Sequence, residues 1–182
     1  MDRLKVLIAV IVVATLTGCS PTRLTIKWNE NPTFVCHGGY ARIKEVGNMH
    51  AIAYNVGRTA VIRFSNDKCE SWSEPTEVAK ADGYLYTNCE LLQLKSGRVL
   101  YTWNARPLRD TGLPFKIMYA TSDDGGKSWS QGRDLYIGGT EFRNGCWEPI
   151  ALQLPSGEVH IYFANEAPYT HSAEQEISLM RS

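Results

Sequence analysis

The sequence has no charge of either sign to spare. Its 19 lysines and arginines are matched by 19 aspartates and glutamates, and the basic residues are scattered singly. No net field remains to gather nucleic acid or anionic lipid, so nucleic acid is not an expected partner. Metal and phosphate chemistry are missing as well. His37, His50, His160 and His171 fall at no ligand spacing, the cysteines match no zinc pattern, and no glycine-rich phosphate loop occurs. No metal and no cofactor is expected. Beyond residue 20 no stretch reads convincingly as a helix. What the chain does have is aromatic: 10% of its residues, with five Trp and nine Tyr, a composition that suits a β-protein handling sugars.

The N-terminus reads as a processing segment rather than as part of the fold. Arg3 and Lys5 precede an apolar run from Val6 to Leu16, and Leu16-Thr17-Gly18-Cys19 follows. The run is too short to span a bilayer as a mature helix, and the small residues behind it mark a cleavable signal peptide over 1–18. The tetrapeptide resembles the bacterial lipobox, which implies that Cys19 is lipidated and becomes the mature N-terminus. Ser20 resembles the sorting position of outer-membrane lipoproteins. Residues 19–34, with Pro21 and Pro32, then form a tether. A lipid-anchored protein of the bacterial cell envelope, facing periplasm or cell surface, is the expectation. A plain secretory signal followed by a chance cysteine is the alternative.

Cys36, Cys69, Cys89 and Cys146 remain. An oxidising compartment permits disulfides in any of three pairings, and small buried thiols are the other reading.

The rest of the chain is organised by a turn, Ser122-Asp123-Asp124-Gly125-Gly126-Lys127-Ser128-Trp129. Asp124 can accept backbone hydrogen bonds, Gly125 and Gly126 can take positive φ, and Ser122 and Ser128 can brace the loop. Trp129 is an apolar plug for the sheet below. Ser65-Asn66-Asp67-Lys68-Cys69-Glu70-Ser71-Trp72 is a degenerate copy, and Ser182 stands where a third would begin. A second register repeats too: Leu92-Gln93-Leu94-Lys95-Ser96-Gly97 recurs as Leu152-Gln153-Leu154-Pro155-Ser156-Gly157. Each unit reads strand, tight turn, strand, loop, strand, turn, strand. Four antiparallel strands at a period near 60 residues predict all-β propeller blades, with strands near 41–46, 50–55, 59–64, 88–94, 98–104, 115–121, 147–154 and 158–164. A β-sandwich would not explain the same turn at the same phase.

The Ser-x-Asp-x-Gly-x-Ser-Trp turn closely resembles the Asp-box of the sialidase-like superfamily. Arg42-Ile43, Asn104-Ala105-Arg106-Pro107 and Trp147-Glu148-Pro149 are also similar to its secreted bacterial members. The resemblance implies a six-bladed propeller of the sialidase or exo-arabinanase type, of which residues 35–182 form about two and three-quarter blades. The chain is expected to be truncated, and inactive by itself. Ser65, Asp67, Trp72, Ser122, Asp124, Gly126, Ser128 and Trp129 are expected to be structural.

An antiparallel meander puts those turns on one face and the remaining loops on the other. The second face collects Arg42, Asn55, Arg58, Asn88, Glu90, Asn104, Arg106, Arg109, Asp110, Trp147, Glu148, Asn165 and Glu166. Glycoside hydrolysis needs a protonated carboxyl group, and Glu148 is the expected general acid because Trp147 beside it should desolvate it. The exo-arabinanase branch implies the same glutamate. Arg42, Glu90, Asn104, Arg106, Trp147 and Glu166 are candidate substrate-binding residues. For Glu148 the structural alternative is a turn cap or an arginine partner. Strict sialidase activity is not expected, since the resemblance to sialidases implies an acid aspartate between Arg42 and the first Asp-box and residues 43–64 contain none. The reading is an exo-acting glycoside hydrolase; a non-catalytic glycan- or protein-binding propeller lipoprotein is the alternative.

Overall fold

The computed structural model describes residues 25–182. The leader 1–18, Cys19 and the first part of the tether therefore lie outside the described residues. Residues 25–34 carry neither helix nor strand, and every strand falls within Val35–Ser182.

Three antiparallel sheets follow one another along the chain. The first is β1 (Gly39–Val46), β2 (Met49–Val56), β3 (Thr59–Ser65) and β4 (Thr76–Ala79), paired in that order. The second is β5 (Tyr84–Gln93), β6 (Val99–Pro107), β7 (Lys116–Ser122) and β8 (Arg133–Ile137). The third has β9 (Cys146–Gln153), β10 (Val159–Asn165) and β11 (Glu176–Arg181), with one 3₁₀ turn, Phe142–Asn144, before it. These are the blades that the repeat predicts, two with four strands and one with three. Alternating runs such as Val99-Leu100-Tyr101-Thr102-Trp103 make the strands, and short turns force neighbours to pair.

The blades pack through complementary faces. Blade one offers small residues, Ala51, Ala53 and Ala60, and blade two fills the space with Tyr86, Tyr101 and Trp103, all in one buried cluster. Each buried large side chain stabilises the contact by about 1.5–3 kcal/mol. The Tyr101 hydroxyl donates across the boundary to the Val61 carbonyl at 2.8 Å, and burial keeps it neutral far above the usual tyrosine range. Blades two and three meet through Phe115, Ile117, Cys146 and Phe163. Cys36, Cys69, Cys89 and Cys146 are all free thiols, and burial pushes Cys89 and Cys146 up to about 12.

The largest boundary differences from the sequence pattern lie in blade two. β5 starts at Tyr84 rather than near 88, and β6 ends at Pro107 rather than 104. A register shift between Thr87 and Glu90 breaks the alternation there, which hides the first half of β5 from a period-two reading.

Candidate functional site

The first strand of every blade carries the same irregularity. Gly39 faces Asn55, but the next pair is Arg42 with Ala53. Thr87 faces Asn104, but the next pair is Glu90 with Thr102. Trp147 faces Ala164, but the next pair is Ile150 with Tyr162. In each case two residues oppose one, a β-bulge, and the first of the two has positive φ: Tyr40 at 52°, Asn88 at 52° and Glu148 at 53°. None is glycine. Positive φ at such residues costs on the order of 1–3 kcal/mol each and persists only where the surroundings impose it. The bulge turns all three side chains toward one depression of about 360 Å³, which each of them lines.

The rest of the depression is aromatic and charged. Trp147 packs against Phe115 and Phe142, with ring centroids 4.8 and 4.9 Å away. The Arg106 guanidinium stands 4.8 Å over Phe142 and 5.7 Å from the Trp147 ring. Glu166 is held from two sides: Trp147 Nε1 donates to its Oε2 at 2.9 Å and Gln175 Nε2 donates to its Oε1 at 3.2 Å. Glu148 is freer. It is exposed, and its carboxylate receives one long hydrogen bond, from Asn88 Nδ2 at 3.4 Å. Trp147 turns away from it toward the other rings. The desolvation expected from the neighbouring tryptophan is therefore not supplied by these three blades, which corrects that part of the sequence argument.

Four of the expected residues thus come together: Arg106, Trp147, Glu148 and Glu166. Three do not. Asn104 is 0% exposed, and its amide donates to the carbonyls of Lys116 and Cys146 at 3.1 and 2.7 Å, tying blade two to blade three. Glu90 is 2% exposed and pairs with Lys44 of blade one at 3.4 Å. Arg42 is exposed, with a hydrogen bond to the carbonyl of Ala41 beside it. Asn55 and Asn165 are blade-to-blade links too, through Thr87 and through Tyr136. Polar residues at the ends of inner strands cross-brace neighbouring blades, and composition does not separate them from ligand-binding ones. Conversely, Tyr40, Phe142 and Gln175 line the depression without having been singled out. Phe142 had a signal, a large aromatic in the otherwise small and polar loop 138–145.

The Asp-box turns sit at the opposite ends of the strands, since Val99 pairs with Ser122 while Tyr84 pairs with Pro107. In the second turn the Ser122 hydroxyl bonds Asp124 Oδ1 at 2.7 Å and accepts from Gly126 N at 2.8 Å. Asp124 also accepts from Ser128 N and from the Ser128 hydroxyl, at 2.9 and 2.5 Å. Asp67 is bonded in the same way by Ser65 and Ser71. The Ser71 hydroxyl, then Ser65, holds the Asp67 carboxyl down to about 2; the Ser128 hydroxyl and backbone take Asp124 lower still. Carboxyls this committed to their own loop have no proton to give near neutrality. At the same end lies a groove of about 270 Å³ lined mainly by apolar side chains, among them Leu100, Val159, Ile161 and Met180, with Tyr119, Arg181 and Ser182 as its polar members.

No family model and no curated protein matches the sequence. Solved structures do match its fold. An alpha-L-arabinofuranosidase from Fusarium graminearum, in complex with an iminosugar inhibitor, superposes with a TM-score of 0.65 at 17% identity, over 79% of this chain and 44% of that one. The Penicillium chrysogenum alpha-L-arabinanase complexed with arabinobiose gives 0.64 at 18%, over 79% and 45%. A Hadza microbial sialidase gives 0.60 at 11%, over 79% and 34%. The chain spans less than half the length of these structures. Its three sheets share the β-propeller fold of these glycosidases.

Proposed function

We propose that the chain is the N-terminal portion of an exo-acting glycoside hydrolase of the bacterial cell envelope, anchored through lipidated Cys19, with Glu148 as its general acid. One observation carries the reading. Glu148 is a non-glycine residue at φ 53°, on a bulge that aims an exposed carboxyl into a depression with aromatic rings and Arg106. The same bulge and φ recur at Tyr40 and Asn88, and what sets Glu148 apart is that its bulge carries a carboxyl to this place. The aromatic rings suit the apolar face of a sugar, and Arg106 and Glu166 suit its hydroxyls. The likeness to an arabinofuranosidase, an arabinanase and a sialidase supports glycoside hydrolysis as the chemistry. A further blade packed over Glu148 would supply the desolvation that keeps its proton available.

The test is Glu148→Gln in the protein with its ring of blades complete. The amide keeps shape and hydrogen bonding but supplies no proton. Turnover of glycosides with poor leaving groups is expected to fall by about 10²–10⁴-fold, and activated aryl glycosides much less. Equal losses on both substrates remove Glu148 from the acid role. Anchoring is tested separately: Cys19→Ala should release the protein from the membrane fraction, and soluble wild-type protein would refute the anchor.

A further inference from the structure

Beside the Glu148 depression lies a second one, of about 430 Å³, and Arg106 and Phe142 line both. Its far wall is the loop between β6 and β7, including Arg109 and Asp110, with Thr140 from the loop before β9. Phe142, 60% exposed, stands between the two hollows as a partition. What distinguishes Arg106 among the described arginines is its stacking on aromatic rings. Among the described residues its side chain makes no ion pair with a carboxylate and no hydrogen bond; only the two aromatic rings hold it. Stacking engages the faces of a guanidinium and leaves the N–H groups along its edge free for a planar, bidentate acceptor. Arg109 is exposed and has no carboxylate partner either. The charge differs between the hollows. Two arginines face one aspartate in the second, whereas one arginine faces Glu148 and Glu166 in the first.

We propose that the second depression is a saccharide subsite for a uronate, a sugar unit whose carboxylate is taken by the edge of Arg106 while its ring rests on Phe142. The inference rests on the reading of the Glu148 depression as the seat of the sugar that is cleaved off; the uronate would be the adjoining unit. Hydroxyls of a neutral sugar would accept from the guanidinium edge singly and without charge, whereas a carboxylate matches it in shape and charge. Asp110 opposes the ligand and limits its affinity.

The probe is digalacturonate against its dimethyl ester, which has nearly the same shape without the charge. Binding to this chain is followed by NMR at the Arg106 Nε–H and Trp147 indole signals. Digalacturonate is expected to bind more tightly than the ester and to move both signals. Arg106→Gln should weaken the acid by about tenfold or more and the ester hardly at all. Asp110→Asn should tighten the acid by about two- to threefold; asparagine accepts the φ of 61° at that position, so the loop is kept. Equal affinity for acid and ester, or acid binding that Arg106→Gln leaves unchanged, overturns the proposal. If Arg106→Gln disturbs the rings, Asp110→Asn decides, and no tightening there overturns it. Hydrolysis intact without uronate binding would remove this subsite alone. Uronate binding with no hydrolysis by the complete ring would remove the Glu148 reading and leave the subsite.

Discussion

The two Asp-box turns differ in sequence where they agree in geometry. In blade two the residues after Asp124 are Gly125 and Gly126, at φ 74° and 91°; in blade one Lys68 and Cys69 take the corresponding places at φ 61° and 71°. The bond to the leading serine is the same: Gly126 N and Cys69 N donate to its hydroxyl at 2.8 and 2.9 Å. The Ser-Asp-Ser network therefore imposes a left-handed backbone even where the side chain resists it, at a cost of about 1–2 kcal/mol per residue. Glycine is retained in blade two for a second reason. A Cβ on Gly126 would stand 2.7 Å from the Phe64 ring of blade one. Blade one has no blade before it among the described residues, so Cys69 meets no such wall. The difference teaches that the turn's conformation is local and its glycine is a packing requirement.

The tryptophans sharpen this most. Trp129 joins the cluster between blades one and two, 5.4 Å from the Tyr101 ring, whereas Trp72 packs only within the first blade's outer cluster. Trp129→Ala is expected to cost about 3–5 kcal/mol in urea unfolding, and Trp72→Ala clearly less. Equal losses would show that the seat between blades is not what holds Trp129.

Exchanging the glycine comes next. Gly126→Cys, which copies blade one, should cost about 2–4 kcal/mol through strain and the clash with Phe64. Cys69→Gly should be neutral or stabilising by up to about 1 kcal/mol. A Gly126→Cys protein as stable as the parent would break the packing argument, and pairing it with Phe64→Ala should recover part of the loss.

The smallest effect is the pH dependence, since both carboxylates are at the surface. Asp67 and Asp124 have folded-state values depressed below the ordinary value near 3.9. Their contribution is present above that value and is lost as pH falls through the folded values. Stability should therefore decline from about pH 4 toward pH 2 for Asp67, and to lower pH for Asp124. Asp67→Asn should flatten the decline between about pH 4 and pH 2, and Asp124→Asn should flatten it over that range and below it. A pH profile unchanged in the double variant would show that the serine bonds do not hold these groups in solution.

Part of the lining of the Glu148 depression was legible because its signals are local. Trp147-Glu148-Pro149 at the start of a strand, and Arg106 at the end of another, follow from strand order and meander topology alone. Phe142 was legible in kind, as an aromatic in a polar loop, though not in position. Arg42 and Glu90 were misplaced by one physical feature. The bulge inserts an extra residue, so Tyr40 and Asn88 reach the depression while Arg42 and Glu90 fall two residues further along the strand.

The sequence by itself determined the blades and their turns. Alternation, the repeat near 60 residues and the Ser-Asp-Ser chemistry act between residues a few positions apart, and such interactions are written in the order of the chain. Only the tertiary structure decided which polar groups face solvent and which lock blades together. Asn104 and Glu148 both sit near strand ends, but Asn104 lies beneath the third blade with its amide bonded to Cys146, and Glu148 is lifted clear by its bulge. That choice belongs to the packing of one sheet on the next, where burial obliges each polar group to find a partner and leaves free those that face the open depression.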